Sequence, residues 1–315
     1  MRPARGASGL SGILLVDKPA GLTSHDVVAR VRHALGERRV GHAGTLDPAA
    51  TGLLVVLVGS ATRLAPLLTA ATKSYLADIC FGIQTDTDDA EGEIVRRADV
   101  PDEILDPVAA AGIVASLVGT HTQVPPGYSA IKVDGQTSHR LARAGEKVAL
   151  APREIRILNA RLTGIEMDAC AVWHVDLTVS KGTYVRAIAR DLGEACESAA
   201  HLCGLRRTHS GALSLNDAHS LEDIDAATLD GSEHVQPLFT DPVRAIGLPV
   251  IDVDAACARL VANGVPLDVT LATDLDTGDL VAIVHGEYLL AVYSRADDAL
   301  RPDVVLSGGI RRRSA

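Results

Sequence analysis

The chain has 315 residues, of which 47% are hydrophobic and 3% aromatic, and its net charge is −10 at pH 7. This length suits one large domain and one small one, and the scarcity of aromatics predicts a core of Leu, Val, Ile and Ala. No stretch reaches the roughly 20 apolar residues of a membrane span, and Asp17 and Lys18 interrupt the N-terminal apolar segment too early for a signal peptide.

The first part of the chain alternates strand and helix patterns, and Thr23 or Ser24 is placed to cap the first helix. In chain order the patterns predict a strand at 12–16, a helix at 26–35, a buried strand at 55–58, a helix at 61–71, strands at 74–82 and 93–95, and a helix at 101–117.

The second part begins with an excursion from the core at 121–145, which contains a hairpin near Asp134 and Gly135 and a helix at 138–143. Beyond it the patterns predict strands at 155–165 and 171–179, helices at 187–196 and 255–263, and strands at 280–284 and 288–293 that suit a small β-barrel. This mixed order, without strict βαβ alternation, indicates an α+β fold.

The distribution of charge bears on a domain boundary, and the cysteine content bears on the cellular compartment. Residues 1–213 carry 23 Lys and Arg and 23 Asp and Glu, whereas residues 214–305 carry 4 and 17. The acidity therefore belongs to the C-terminal third, and the break in charge suggests a domain boundary. We expect a linker at 243–245, before Ile246. The five cysteines lack CxxC spacing, which favours reduced thiols in the cytoplasm over disulfides or a zinc site.

The most informative segment is GHAGTLDP at 41–48, which precedes the apolar strand. Its glycines and its Asp-Pro step predict a tight turn, with Asp47 as a cap leading into the strand. One carboxylate and one imidazole then lie on a rigid loop at a strand edge, a common setting for chemistry. For the Asp-Pro dipeptide alone, a helix cap is the simpler explanation.

The whole segment resembles the catalytic loop of the TruB family of tRNA pseudouridine synthases. Four further motifs resemble that family in the same order: VDKPAGLTS at 16–24, KSY at 73–75 with GIQTDTD at 82–88, PPGYSAIKVDG at 125–135 and SKGTYVR at 180–186. The chain departs from the family at Ala43, where Thr is frequent, at Arg190, where an acidic residue is frequent, and at 137–139, which are less aromatic.

The resemblance implies a fold and its domains. It predicts a pseudouridine synthase core in residues 1–240, with a mixed, mainly antiparallel sheet flanked by helices. It also predicts an RNA-gripping insertion at 121–150, a PUA-like β-barrel at 245–308, and a basic tail at 309–315. Since residues 214–305 are acidic, we expect phosphate contacts from the N-terminal region instead. The candidates are Arg30, Arg32, Arg38, Arg39, Arg140, Arg143, Arg206 and Arg207.

The resemblance also implies an activity: isomerisation of uridine 55 in the T-loop of tRNA to pseudouridine, after the base is flipped out of the stack. Asp47 would be the nucleophile, Arg186 its cationic partner, and Tyr75 the residue that packs on the base. His42 would fill the vacated space. Tyr184 and Leu205 would line the uracil pocket, and Lys18 would make a structural or phosphate-proximal contact.

Cofactors and partners follow from the same resemblance. The reaction needs no redox or energy input, in line with a sequence that lacks a Walker loop and a dinucleotide fingerprint. We expect tRNA, through its T-arm, as the partner, with no cofactor, no metal, no membrane and no obligate protein partner. Two alternatives stay open: a non-catalytic RNA-binding or tRNA-folding protein of the same fold, and a carboxylate-based glycosidase, which would need a second acidic residue.

Overall fold

The computed structural model describes residues 8–129, 132–133, 136–138, 150–167, 170–230 and 232–313. Its α-helices are α1 (Ser24–Leu35), α2 (Ala65–Ala70), α3 (Pro107–Ser116), α4 (Val185–Ala195), α5 (Leu221–Asp230), α6 (Ser232–Val235), α7 (Pro242–Ile246) and α8 (Ala255–Ala262). No helix in the described ranges is long and apolar enough to cross a membrane.

The strands, numbered in chain order, are β1 (Gly12–Lys18), β2 (Val40–His42), β3 (Thr51–Val58), β4 (Lys73–Phe81), β5 (Ile83–Thr85), β6 (Ile94–Arg97), β7 (Gly119–Gln123), β8 (Lys132–Val133), β9 (Gln136–Thr137), β10 (Arg153–Met167), β11 (Ala171–Val179), β12 (Ala200–Ser210), β13 (Leu213–Ser214), β14 (Phe239–Thr240), β15 (Val250–Asp252), β16 (Leu267–Asp268), β17 (Leu280–His285), β18 (Tyr288–Arg295) and β19 (Ala299–Arg311).

The chain divides into two compact units, unit 1 (Met1–Ala71 and His209–Ala315) and unit 2 (Thr72–Thr208). In unit 1, β1 pairs antiparallel with β3 on one side and β14 on the other, and β2 pairs with β3. Unit 1 also contains a curled five-stranded sheet in the order β15-β17-β18-β19-β16, in which only the β15–β17 pair is parallel.

Unit 2 is built on strands in the order β12-β4-β11-β10-β7. The pairs of β11 with β4 and β10, and of β10 with β7, are antiparallel. Trp173 of β11 is fully buried, packs against Phe81 with 4.6 Å between ring centroids, and donates from Nε1 to the carbonyl of Ile104 (3.0 Å). These features confirm the predicted α+β class with a mainly antiparallel sheet.

Among the described residues, one apolar cluster of the unit 1 core has only Ile, Leu, Val and Ala as its buried members, as the composition predicts. It joins the first strands to the C-terminal sheet in one cluster: Leu57 and Leu64 belong to the same group as Leu289, Val292 and Ile310. The predicted domains, 1–240 and 245–308, therefore do not coincide with the two compact units. The predicted domain bounds stay a prediction.

The predicted linker at 243–245 is wrong. These residues lie in α7, which Asp241 caps by accepting hydrogen bonds from the backbone of Val243 and Arg244, and Ala245 is buried in the unit 1 core. Residues 309–311, predicted as the start of a basic tail, form the end of β19, where Arg311 pairs with Glu287 at 3.1 Å.

Prolines explain two other differences. The predicted helix at 61–71 is a 3-10 turn at Gly59–Leu64 followed by α2, which begins with Pro66 in its first turn. The predicted helix at 101–117 breaks before Pro107, because the residue preceding a proline disfavours helical geometry, and Asp106 instead caps α3.

The elements that were not predicted include β12, α5 and the long β19. The start of the predicted excursion at 121–145 is also different, since residues 121–123 complete β7. The hairpin is present as the β8–β9 pair. Its predicted turn at 134–135 and most of the predicted helix at 138–143 lie outside the described residues.

A chain that ends at Gly247 should be markedly less stable than the full chain, because it loses the apolar partners of the unit 1 core. In the full chain, Ile310→Ala should cost about 2–5 kcal/mol of unfolding free energy, while Leu229→Ala, at an 89% exposed position, should stay within about 0.5 kcal/mol. Urea unfolding measures all three. A truncated chain as stable as the full one would show that 245–308 is a separable domain.

Candidate active site

Asp47 lies on the loop 43–50, which joins β2 to β3 in unit 1. The backbone NH of Ala43 donates to the carbonyl of Val55 (2.9 Å), and that of Ala50 donates to the carbonyl of Asp47 (3.1 Å). Gly44 has a φ of 102°, which a residue with a side chain rarely adopts. The predicted turn at Asp47 leading into a buried strand is therefore present, with the Asp47 side chain half-buried.

The side chain of Lys18 binds this loop through a hydrogen bond to the carbonyl of Pro48. Its side chain is completely buried, and Nζ donates to the carbonyl oxygens of Pro19 (2.9 Å), Leu22 (2.6 Å) and Pro48 (3.0 Å). A buried ammonium group is tolerated only where oxygen atoms replace its hydration. Lys18 therefore ties the residue that follows Asp47 to the turn that follows β1.

Ser24 makes a second tie to the same loop. Its buried Oγ donates to the carbonyl of Leu46 (3.0 Å), and the backbone NH of Leu46 donates back to Oγ (2.9 Å). Ser24 begins α1, which Thr23 caps through a capping box with Asp26, as the sequence predicts for this helix. The two ties hold the residues on both sides of Asp47.

His42 is at the end of β2, directly before the loop, and is half-buried. Its ring packs edge-on against the ring of His25 in α1, with 5.5 Å between centroids. Lys18, His42 and Asp47 are thus brought together in unit 1 around one loop.

Arg186 lies in the first turn of α4 in unit 2, with 6% of the residue exposed. Nη1 donates to the carbonyl of Thr87 (3.0 Å) and lies 3.3 Å from a carboxylate oxygen of Asp89. Nη2 donates to the carbonyl of Tyr128 (2.9 Å). The guanidinium plane is therefore set by two loop segments, one after β5 and one after β7.

Tyr75 points to the buried face of β4, as does Lys73 two residues earlier. The guanidinium of Arg207 lies over the Tyr75 ring, 5.9 Å from its centroid, a cation–π arrangement. Burial, reinforced by the charges of Arg207 and Lys181, lowers the pKa of Lys73 to about 8. Tyr75 is thus held in a buried, electropositive part of unit 2.

Tyr184 and Leu205 are both half-buried in unit 2. Tyr184 immediately precedes α4, and its backbone is held by the side chain of Gln123, which accepts from the Tyr184 NH (2.9 Å) and donates to the Tyr184 carbonyl (3.1 Å). The guanidinium of Arg153 lies 5.7 Å from the centroid of the Tyr184 ring. Leu205 lies in β12, in the same strand as Arg207.

A second arginine of α4, Arg190, makes an ion pair with Asp88 at 3.0 Å. Asp88 has a φ of 60°, a left-handed conformation that Asp adopts more readily than most residues. Burial raises the pKa of the Asp88 carboxyl to about 6, and the nearby charges of Arg190 and Arg186 oppose that rise. From the sequence, Arg190 was only a departure from the family, Ser24 a possible helix cap and Asp88 part of the 82–88 motif. Asp89 had no assigned role.

The predicted phosphate-binding arginines need correction at two positions. Arg207 is 1% exposed, and Arg30 is paired with Asp225 (2.6 Å) and Glu222 (3.1 Å). Arg38 and Arg39 are exposed. The positions 140 and 143 lie outside the described residues.

The prediction of reduced cysteines is wrong for one pair, because Cys80 and Cys170 form a disulfide, while Cys196, Cys203 and Cys257 are free. The two bonded residues flank β11, one on the neighbouring strand β4 and one just before β11 begins. Within the described parts of the chain, no group of three or more His, Cys, Asp or Glu side chains is placed to hold a metal ion.

Two family models match this chain. Residues 32–185 match the TruB family pseudouridylate synthase N-terminal domain, and residues 186–246 match the tRNA pseudouridylate synthase B C-terminal domain. A tRNA pseudouridine synthase B of Mycobacteroides abscessus is 46% identical over 82% of this chain and 84% of that protein. One of Thermobifida fusca is 46% identical over 80% of this chain and 85% of that protein.

Among solved structures, a chain of an archaeal box H/ACA sRNP complex has a TM-score of 0.70 and 24% identity, covering 94% of this chain and 86% of that chain. That likeness concerns the fold alone. The sequence matches define the chain as a pseudouridylate synthase, which is an isomerase. More specifically, the chain belongs to the TruB family.

Lys18→Met should lower the free energy of unfolding by about 1–3 kcal/mol, because three carbonyl oxygens lose a buried donor. Lys181→Met, at an exposed position, should change it by less than about 0.5 kcal/mol. Urea unfolding of both variants tests the role of Lys18. Equal stability of the two would contradict a tie between Lys18 and the loop.

Asp88 should make stability depend on pH in an unusual direction. Its folded pKa of about 6 lies above the ordinary value of 3.8 for an aspartate, so the folded state binds the proton more tightly than the unfolded state. Wild type should therefore gain about 1 kcal/mol relative to Asp88→Asn when the pH falls from 7.5 to 5.0. Urea unfolding of both proteins at both pH values measures this gain. A difference that does not change with pH would contradict the raised pKa.

Proposed function

We propose that this chain isomerises uridine 55 in the T-loop of tRNA to pseudouridine, with Asp47 as the nucleophile. The observation that carries the proposal is the loop 43–50, in which Lys18 and Ser24 fix the residues on both sides of Asp47. Its sequence is the one that resembles the family's catalytic loop. The names of the relatives support tRNA as the substrate.

The chemistry requires an ionised carboxylate and a way to hold the base. The bond between C1′ of ribose and N1 of uracil breaks, and a bond between C1′ and C5 forms. N1 gains a proton and C5 loses one, so atoms balance without a cofactor. A carboxylate can form the covalent intermediate that keeps the two fragments together, as in retaining glycosidases. In this proposal Arg186 supplies the positive charge that favours the ionised carboxylate.

Access to uridine 55 requires that the base leave a folded loop, at a cost of a few kcal/mol of stacking. We assign His42 to the space that the base leaves, since its ring lies at the edge of the Asp47 loop and is half-buried. Tyr75 packs on the flipped base and takes part in a late proton transfer. Tyr184 and Leu205 line the uracil pocket, and Lys18 acts through the loop rather than on the substrate.

Recognition of the T-arm requires cations that can reach phosphates. In unit 1 the exposed side chains of Arg32, Arg38 and Arg39 lie at the end of α1 and before β2. Arg32 donates to the carbonyl oxygens of Arg38 (3.1 Å) and Val40 (3.0 Å), which orders this cluster. The acidic residues 214–305 contribute little phosphate neutralisation. We propose that the enzyme works in the cytoplasm without an obligate protein partner.

Asp47→Asn should abolish pseudouridine formation and leave the affinity for unmodified tRNA within about threefold, because a nucleophile stabilises the transition state and not the bound ground state. Mapping pseudouridine by position in tRNA, alongside a binding titration, tests both the site and the nucleophile. Modification at another position would contradict the assignment of uridine 55. Turnover by Asp47→Asn above a few per cent of wild type would contradict the nucleophile. Tight binding by a wild type that makes no pseudouridine would favour the non-catalytic RNA-binding alternative.

His42→Ala should slow the reaction on folded tRNA by about tenfold more than on an isolated, less structured T-loop, because only the folded substrate needs the vacated space filled. Single-turnover rates on both RNAs measure the difference. The matched variant is His33→Ala, an exposed histidine of α1, which should behave as wild type. Equal slowing on both substrates would assign His42 to structure or to direct chemistry instead.

A further inference from the structure

Helix α4 carries two arginines one turn apart, and each one connects the same two segments of unit 2. These are the acidic loop, residues 86–89, and the entry segment, residues 124–128. Arg186 donates to the carbonyls of Thr87 and Tyr128. Arg190 donates to the Asp88 carboxylate (3.0 Å) and to the carbonyl of Val124 (2.9 Å). The spacing of four residues places both side chains on one face of the helix.

We propose that the Arg190–Asp88 ion pair is a positioning element that holds Arg186 in its working orientation. The inference rests on the proposed role of Arg186. The reason is geometric: Arg186 takes its direction from carbonyl oxygens of the acidic loop and the entry segment, and Arg190 fixes both segments to the same helix. Without Arg190, the acidic loop and the entry segment, which carry the acceptors of Arg186, are bonded to α4 through Arg186 alone.

Burial makes this pair different from an ion pair on the surface. The side chains of Arg190 and Asp88 are 16% and 8% exposed. A pair shielded from water interacts more strongly, and loss of one partner leaves the other charge uncompensated. Asp191 also accepts from Arg190 (2.7 Å). That contact orients the guanidinium from its own helix: Nη2, which faces Asp191, also donates to the carbonyl of Val124, and Nη1 is left for Asp88.

The acidic loop itself needs to be held, since Asp88 has a left-handed backbone that few residues with side chains adopt. On its other side the loop is bonded to β12: the NH of Leu202 donates to the carbonyl of Asp88 (3.0 Å), and the NH of Ala90 donates to the carbonyl of Leu202 (3.1 Å). On the side that faces α4, Arg190 bonds the Asp88 carboxylate, beside the bond from Arg186 to Thr87. Arg190, at which the chain departs from the family, and Asp88 therefore act together as one ion pair that connects the acidic loop to α4.

The test is a mutant cycle with single-turnover kinetics at saturating tRNA and a separate measurement of the Kd for tRNA. Asp88→Asn removes one charge at constant size, and Asn tolerates the left-handed conformation. Arg190→Gln removes the other charge and leaves a shorter polar side chain. Each should lower the rate by about tenfold, and the double variant should be no slower than the slower single one, because both break one interaction. The Kd should stay within about threefold in all of them.

Two further variants separate positioning from stability. Arg190→Lys keeps the charge but loses the planar fork, so its rate should lie between those of wild type and Arg190→Gln. Arg161→Gln removes an exposed arginine that pairs with Asp176 at 3.3 Å elsewhere in unit 2, and it should behave as wild type. Circular dichroism checks folding. If Arg190→Gln does not fold, Asp88→Asn and Arg190→Lys carry the test.

The inference is overturned if the rates match that of Arg161→Gln, if the two single effects add in the double variant, or if only the Kd changes. Arg186→Gln serves as the reference for the proposed function. An inactive Arg186→Gln beside an unaffected Arg190→Gln would reject only this inference. A fully active Arg186→Gln would reject the proposed role of Arg186 itself.

Discussion

A buried cation must be surrounded by oxygen atoms, and both groups of candidate residues are organised by that requirement. The ammonium of Lys18 is bonded by backbone carbonyls of two segments, the turn after β1 and the loop with Asp47. The guanidinium of Arg186 is enclosed by carbonyls of two loops and a carboxylate. Because removing such a charge from water costs several kcal/mol unless it is compensated, each cation fixes the loops that surround it. Irregular backbone is thereby held by side-chain hydrogen bonds in place of the backbone pairing of a helix or a strand.

The distribution of charge gives the two ends of the chain different tasks. Residues 214–305 carry the acidic excess, yet apolar side chains of the C-terminal sheet belong to the same core cluster as those of β1 and β3. The basic end of the chain is already engaged, since Arg311 pairs with Glu287 and the Arg312 guanidinium lies 3.9 Å from the Asp241 carboxylate. This region serves unit 1 as a packing partner, and the cations exposed to solvent near the Asp47 loop lie at the other end of the sequence.

The sequence predicts the elements whose signals are local. Thr23 and the apolar spacing of α1 define that helix, and the alternation in β4 and β11 defines those strands. Pairings between distant segments have no such signal. Nothing in the spacing of residues links Asp88 to Arg190, and a pair of arginines in β12 predicts an exposed surface although Arg207 is buried. The loop around Asp47 was predictable because its glycines and proline specify its geometry, whereas the ties from Lys18 and Ser24 depend on tertiary contacts.

The interrupted course of unit 1 has a consequence for synthesis. Its first 71 residues and its last 107 are separated by the whole of unit 2, and Ile13 of β1 pairs with Thr240 of β14. While the ribosome works toward that strand, one edge of β1 has no partner, and an unpaired edge is a template for aggregation. Unit 2 is contiguous and can complete its own contacts sooner, as domains generally fold in the order of their synthesis. The edge of β1 that β14 covers is therefore completed only near the end of translation, after the whole of unit 2 has been made.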